Sequence, residues 1–320
     1  EHKFTVVSDE LQNQTGFKII GRSPQIRNVI KLMKKIAETD DTSVLILGES
    51  GTGKDLVARG IHYFSSRKNK AFYPINCPAI PDNLFESEFF GHKKGAFTGA
   101  IEDKTGCFEM ANNGTLLLDE ITEMPFNLQA KLLRIIEDKK VKRIGCHREI
   151  PVNVRVIAAS NQDIEKLINE NKFRKDLYYR LNSFVIKIPP LREHKEDIPL
   201  LLDYFLHHFS KKLKKDILQI DNKVVDKLID YSFPGNIREL KNIVERAVIL
   251  CDSKTLHFKC FSFDSQKVDI EEERSYDLAL IEKNLIQEAL EKTNYKKSEA
   301  IKLLNISRHS LDGRIKKYDL

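Results

Sequence analysis

Two hydrophobic patterns alternate along this chain: short unbroken apolar runs, and segments in which apolar residues return every three or four positions. The runs Val44 to Leu47, Phe72 to Ile75, Thr115 to Leu118, Val154 to Ala159 and Phe184 to Ile188 have the length of strands. Between them, Leu56 to Phe64, Leu128 to Ile136 and Ile164 to Ile168 keep helical spacing. Strands that are apolar on both faces and alternate with helices predict an α/β fold with a doubly wound parallel sheet. A further helix is predicted from Ser23-Pro24, with Ile26, Val29, Ile30, Met33, Ile36 and Ala37 on one stripe. After Pro189-Pro190 the strand signal stops, and residues 195–251 read as helical throughout, an all-α second piece. Cys251 to Arg274 carries mixed charge with no sustained period and reads as a linker, and helical spacing resumes from Leu278 to Leu320. No internal repeat is visible.

The chemistry concentrates at the ends of the predicted strands. Directly after Val44 to Leu47 comes Gly48-Glu49-Ser50-Gly51-Thr52-Gly53-Lys54, followed by a helical pattern. Such glycines let successive backbone N–H groups turn inward around β- and γ-phosphates, the helix N-terminus adds its dipole, and Lys54 adds a point charge. ATP with Mg²⁺ is the expected ligand. The general pattern has Ser or Thr after the lysine as a magnesium ligand, and here that place is Asp55, a carboxylate able to hold the ion directly or through water. The run Thr115 to Leu118 ends in Asp119-Glu120: Asp119 is expected to hold hydrated Mg²⁺, and Glu120 to orient and deprotonate the attacking water. Parallel strands deliver their carboxyl ends to one crevice, so these acids and the glycine loop are expected to meet. Asn161, after the next apolar run, is open to two readings: a contact to the γ-phosphate or its water, or a plain turn residue.

Composition narrows the classes. At 320 residues the chain is long enough for two or three domains, and 41% hydrophobic with 31% charged residues excludes disorder and fibres. No apolar run reaches the ~20 residues of a membrane span, and Glu1-His2-Lys3 lacks a following apolar stretch, so a cytoplasmic location without a membrane partner is expected. The five cysteines form no C-x-x-C pair and are expected to be reduced thiols rather than zinc ligands or disulfides.

Charge adds one feature. The net +6 is modest, but between Thr293 and Leu320 seven basic residues face three acidic ones. Glu299 to Leu304 reads as one short helix, Asn305 as a turn, and Ser307 as the N-cap of a second helix with Leu311, Ile315 and Tyr318 on its apolar stripe. Arg308, His309, Asp312 and Lys316 then face outward. Two helices, a short turn and a basic outer face predict a helix-turn-helix that binds double-stranded DNA, with Lys297, Ser307, Arg308, His309, Arg314 and Lys316 as candidate contacts. Gly313 costs a helix roughly 1 kcal/mol against Ala, and Asp312 is expected to repel phosphate.

From about Phe17 onward the chain resembles the bacterial enhancer-binding proteins, the NtrC-type activators of sigma-54 RNA polymerase. Gly95-Ala96-Phe97-Thr98-Gly99-Ala100 is identical to that family's GAFTGA loop, Gly48 to Asp55 is similar to its GESGTGKE with Asp last, and Leu118-Asp119-Glu120 is similar to its Walker B segment. Phe173 to Asn182 resembles the arginine-finger segment, Pro189-Pro190-Leu191-Arg192 is also similar, and Phe233 to Leu240 resembles the sensor II motif with Phe where Trp is common. The resemblance implies an AAA+ ATPase subdomain at 17–190, a helical lid at 191–251, a linker at 252–276 and a Fis-like helix-turn-helix domain at 277–320, with 1–16 a linker remnant too short for the receiver domain of a two-component regulator. It further implies that Gly95 to Ala100 contact sigma-54, that Asn76 pairs with Glu120 until ATP is sensed, and that Arg238 reaches the phosphates from the lid. Arg174 and Arg180 would approach the nucleotide of a neighbouring subunit in a homo-oligomeric, hexameric ring, which of the two is the finger staying open. The implied function is ATP-driven remodelling of sigma-54 polymerase from closed to open complexes, from sites upstream of promoters. The alternatives are a DNA-binding regulator with a vestigial nucleotide site and an AAA+ remodeller of another substrate.

Overall fold

The computed structural model describes residues 18–261 and, within 282–318, all but 284, 288, 291, 292, 294 and 295. The expected remnant 1–16, residues 262–276 of the expected linker and the first residues of the expected unit 277–320 lie outside the described residues. The chain divides into two compact units, the first ending at Ser262.

The first unit opens with α1 (Pro24–Ala37). The Ser23 hydroxyl accepts the N–H of Ile26 at 3.3 Å, and Pro24 sits in the first turn, where its missing N–H has no partner to lose. There follow β1 (Val44–Leu47), α2 (Lys54–Tyr63), β2 (Phe72–Asn76), α3 (Asp82–Phe90), α4 (Cys107–Met110), β3 (Thr115–Asp119) and α5 (Phe126–Asp138). Next come the hairpin strands β4 (Lys140–Lys142) and β5 (Glu149–Pro151), then β6 (Arg155–Ser160), α6 (Ile164–Asn169), α7 (Lys175–Leu181) and β7 (Phe184–Lys187). Five strands form one parallel sheet in the order β2-β3-β6-β1-β7.

Alternation along each strand divides the core between the sheet's two faces. Leu45, Leu116, Leu118, Val156 and Ala158 pack with Phe85, Phe89, Phe108, Leu132 and Leu177. Val44, Ile46, Leu117, Ile157 and Ala159 pack with Met33, Ile36, Val57 and Ile61. Both faces are covered, as the unbroken apolar runs predict. Because β6 lies between β1 and β3, the carboxyl ends carrying Gly48, Asp119 and Ser160 are brought side by side.

The lid is built from α8 (Ile198–Leu213), α9 (Asn222–Asp230) and α10 (Asn236–Leu250). Two expectations are corrected here. Strand structure does not cease after Pro190, since β8 (Gln219–Ile220) pairs in parallel with β9 (Thr255–Leu256). Nor is all of 252–276 a linker: β9 belongs to this pair, and Leu256, Cys260 and Phe261 are buried. No described helix is long and apolar enough to cross a membrane.

In the second unit α11 (Lys297–Leu304) ends at Asn305, whose positive φ of 52° closes the turn, and α12 (Arg308–Tyr318) follows. Ser307 accepts the N–H of Ser310 at 3.2 Å, the expected cap. Leu311 is fully buried with Ile286, Leu290 and Ala300, and Ile315 and Tyr318 pack against them.

Candidate functional site

The crevice opens at the carboxyl ends of β1, β3 and β6. Gly48 donates its N–H to Ser160 O at 3.2 Å, which fixes the glycine loop to β6, and the Thr52 hydroxyl closes the loop on Glu49 O at 2.8 Å. Gly51 and Gly53 have φ of 80° and 96°, values that a side chain would resist. The N–H groups of Glu49, Ser50, Gly51 and Gly53 donate to no described group, although they sit at the N-terminus of α2. Unpaired amides at a helix start form a nest for an anion. Lys54, only 6% exposed, folds back over this nest: its Nζ donates to Gly48 O at 2.9 Å and lies 3.2 Å from Glu120 Oε1.

Glu120 follows β3 with φ 51° and ψ 53°, left-handed backbone that costs a non-glycine residue about 1 to 3 kcal/mol. That turn aims the carboxylate across the crevice, where Oε2 accepts the N–H of Asn161 at 2.9 Å. Asn161 thus acts here through its main chain. Asn76 ends β2 in register with Asp119, so the strand pairing brings it to the acids. Among the described residues no hydrogen bond joins it to Glu120, whose two oxygens are taken by Lys54 and Asn161. Burial first, and then the charge of Glu120, raise the Asp119 carboxyl above the usual range. Burial, with the same two carboxylates, pushes the adjacent Cys77 thiol up to about 12.

The donors suit magnesium through Asp119. That carboxylate has no ion pair among the described residues, and two acids crowd the rim, so a divalent cation would relieve their repulsion. Asp55 fits less well: its carboxylate lies along α2 and accepts Arg59 Nε at 2.8 Å.

The lid reaches the loop through the start of α10. Arg238 donates Nη1 to Ser50 Oγ at 2.9 Å and its N–H to Gly51 O at 3.3 Å. Asn236, fully buried, donates Nδ2 to Ser50 O at 3.0 Å and to Glu49 Oε2 at 3.1 Å. The Glu49 side chain therefore faces the lid, leaving only its main chain for a phosphate.

Arg174 and Arg180 are not in this crevice. Arg180 lies shortly before β7, whose first residue Phe184 pairs with Val44 at the amino end of β1, whereas the glycine loop follows the carboxyl end. It lines a small cavity with Asp41, Ser43 and Lys139, and among the described residues its guanidinium has no hydrogen bond or ion pair. Arg174 is held by Asp176 in a two-pronged pair at 3.0 and 2.7 Å. It lies over Phe126 beside an open cleft of about 670 Å³ that includes Phe173 and Tyr179.

Gly95 to Ala100 form the tip of a loop on a braced stem. His92 pairs with Lys104, Lys93 donates its N–H to Ile144 O at 3.0 Å, and Lys93 and Asp103 form an ion pair. Within the tip Gly95 N–H donates to Ala100 O at 2.9 Å, and Gly95 and Gly99 take φ of 79° and 102°. Phe97 is 41% exposed and rests edge-on against His92. Ala96, Thr98 and Ala100 range from half-buried through exposed to buried. The bracing hairpin loop at Ile144 and Gly145 escaped the sequence reading, because Lys139 to Arg143 carry too many charges to signal a strand.

In the second unit Arg308, His309, Ser307 and Lys316 are exposed. Two other candidates are engaged. Lys297 pairs with Asp312 at 2.7 Å, so Asp312 is a neutralised partner and not the bare repulsive charge expected; Arg314 is tied to Glu282 and Ser310.

A glycine nest at the start of α2, an acid pair after β3 with β6 between the two strands, and a helical lid on the loop define a P-loop nucleoside triphosphatase of the AAA+ class. A family model described as Sigma-54 interaction domain matches residues 19–187, the AAA+ ATPase lid domain matches 192–277, and Bacterial regulatory protein, Fis family matches 277–318. Regulatory protein AtoC of Escherichia coli (strain K12) is 43% identical over 313 residues, 94% of this chain and 68% of AtoC. Phenol regulator MopR of Acinetobacter guillouiae is 40% identical over 333 residues, 99% of this chain and 59% of MopR. A crystal structure of NtrX from Brucella abortus in complex with ATP superposes with TM-score 0.72 at 28% identity, covering 97% of this chain and 72% of that one. The chain belongs to the NtrC-type family of sigma-54-dependent transcriptional activators, with an AAA+ domain and a Fis-type DNA-binding domain.

Proposed function

We propose that the chain is an ATP-hydrolysing activator that works as a ring of identical subunits, binds DNA upstream of promoters and remodels closed sigma-54 polymerase complexes into open ones. The observation that carries this reading is the pairing of an amide nest and acid pair with an exposed Gly95 to Ala100 tip on a braced stem, a motor and a contact element within one unit.

The arrangement supports a sequence of steps for the chain's own groups. The nest and Lys54 receive the β- and γ-phosphates, which draws Lys54 off Glu120. Glu120 then orients the attacking water and takes its proton, while the Asn161 N–H holds the carboxylate in line; Asn76, at the end of β2 beside Asp119, is placed to pair with Glu120 before ATP is sensed and not during hydrolysis. Magnesium held by Asp119 would neutralise charge on the transferring phosphoryl group. Arg238 follows the phosphates and carries the lid with it. Arg180 is too far from its own crevice: β1 alone spans about 13 Å at roughly 3.3 Å per residue, so Arg180 serves the crevice of a neighbour. Arg174, beside an aromatic-lined cleft, suits the subunit interface. The exposed face of α12 meets the major groove, with Ser307 capping the helix. DNA and polymerase as partners place the protein in the cytoplasm.

The test combines turnover with capture. The purified chain should hydrolyse ATP with magnesium and retain sigma-54 in the presence of a transition-state analogue such as ADP with aluminium fluoride; Thr98→Ala should keep hydrolysis and lose retention. Hydrolysis without any sigma-54 retention would favour a remodeller of another substrate, and retention with no hydrolysis a vestigial nucleotide site.

A further inference from the structure

Glu49 is used by the steps above only through its main chain, yet its carboxylate is the most heavily bonded group on the glycine loop. Arg192 donates Nη2 to Oε1 at 2.6 Å and Nη1 to Oε2 at 2.9 Å, a two-pronged pair, and Asn236 adds Nδ2 at 3.1 Å. These bonds hold the carboxyl below the usual range. Asn236 is itself fixed by the Leu191 N–H, donated to its Oδ1 at 2.8 Å, and its backbone is left-handed at φ 53°. Gly51 meets the same corner: a side-chain carbon there would lie 2.3 Å from Gly235 O. The loop residues Glu49, Ser50 and Gly51 thus touch Arg192, Gly235, Asn236 and Arg238 in one continuous contact.

We propose that Glu49 is a positioning residue of the nucleotide site, which locks the lid to the phosphate loop through Arg192 and Asn236, and that Arg192 is present to cancel the Glu49 charge beside the bound triphosphate. This rests on the reading that the crevice binds ATP. A carboxylate carried by a nest residue repels phosphate unless it is compensated, and the guanidinium compensates it at bidentate distance. The side chains are both about two-fifths exposed, so the pair is not a folding requirement. The two residues therefore have effects of opposite sign. Without Arg192 the bare carboxylate weakens nucleotide binding; without the Glu49 charge binding is kept, and what is lost is the coupling that brings Arg238 into place for turnover.

The 320-residue chain is compared as wild type, Arg192→Ala, Arg192→Lys, Glu49→Gln and the double variant Glu49→Gln/Arg192→Ala, by equilibrium binding of a fluorescent ATP analogue, by KM and kcat for ATP, and by melting temperature. Arg192→Ala should weaken binding and raise KM roughly fivefold to tenfold, the effect of one unpaired charge at a partly screened site. Arg192→Lys, which keeps the charge but not the two-pronged geometry, should fall between wild type and Arg192→Ala. Glu49→Gln should bind ATP at least as tightly as wild type with kcat lowered several-fold, and the double variant should regain the affinity that Arg192→Ala loses. A purely structural clamp would weaken both single variants alike and show no rescue. If wild type binds ATP and the double variant binds no better than Arg192→Ala, the inference is overturned while the nucleotide site stands. If wild type binds no ATP, both fall.

Discussion

Arg180 offers a sharp test, because the sheet puts it on the wrong side of its own subunit. Phe184 pairs with Val44 and Lys187 with Leu47, so the chain before β7 approaches from the amino end of the sheet and the glycine loop leaves from the other. Four residues of β1 separate the two ends by about 13 Å, twice the reach of an arginine side chain. If Arg180 supplies charge to the transferring phosphoryl group, Arg180→Ala should lower kcat by roughly 10³ to 10⁵, or about 4 to 7 kcal/mol of barrier. Lys54→Ala protein keeps its arginine but loses its pocket, so neither variant alone should turn over ATP. Mixed in equal amounts, they should recover activity wherever an intact pocket borders an intact arginine. In a closed head-to-tail ring that is about a quarter of the interfaces, so about a quarter of wild-type turnover is expected if sites act independently. The assay is phosphate release across mixing ratios, with sizing to verify mixed rings. No recovery at any ratio in verified mixed rings, or near-normal turnover by Arg180→Ala alone, would refute the reasoning. Arg174, already held by Asp176, is expected on substitution to shift ring assembly more than turnover per ring.

The other predictions follow from single contacts. Lys54→Ala should abolish ATP binding, whereas Glu120→Gln should bind ATP and not hydrolyse it, measured by filter binding and phosphate release; equal loss of binding in both would overturn the division of roles. Asp312→Asn should free Lys297 and tighten DNA binding, with the log–log salt slope steeper by about 0.9, read from binding at several salt concentrations; an unchanged slope would mean Lys297 does not meet phosphate. Asp197 is buried, and although burial alone would raise its carboxyl, bonds from His194, Ser23 and Arg22 hold it below the usual range. Its contribution is therefore present above the unfolded value of about 4 and lost as pH falls through the lower folded value. Thermal melting of Asp197→Ala against wild type should show the largest deficit near pH 7, shrinking below about pH 4; a deficit growing at low pH would contradict that sign.

Much of the fold was legible because burial on both faces of a parallel sheet leaves an unbroken apolar trace. Val44–Leu47 is the strand that the pattern predicts, and Phe72 and Thr115 each begin their strand where expected. The trace hides one polar intruder: Arg155, within the run Val154 to Ala159, is 1% exposed and donates Nη2 to Ile36 O at 2.7 Å. Where elements are short or charged the pattern gives nothing, as with the two-residue strands β8 and β9 and the lysine-rich β4. The phosphate loop could be read because its glycines and lysine are contiguous. The Glu49–Arg192 pair could not, since 143 positions separate its members and the sequence offers Glu49 only as part of the loop. Asp312 was misjudged for the same reason: only the folding of α12 against α11 reveals Lys297 as its partner.

ATP turnover at the crevice is proposed to be spent through the Gly95 to Ala100 tip on sigma-54 polymerase. The most direct test of this proposal is formation of heparin-resistant open complexes from closed sigma-54 polymerase complexes on a supercoiled promoter template, with wild-type chain and with Thr98→Ala. Open complexes are expected with wild type and ATP, none with a non-hydrolysable analogue, and none with Thr98→Ala although that variant still hydrolyses ATP. Open complexes formed equally well without hydrolysis, or by Thr98→Ala at wild-type yield, would contradict it.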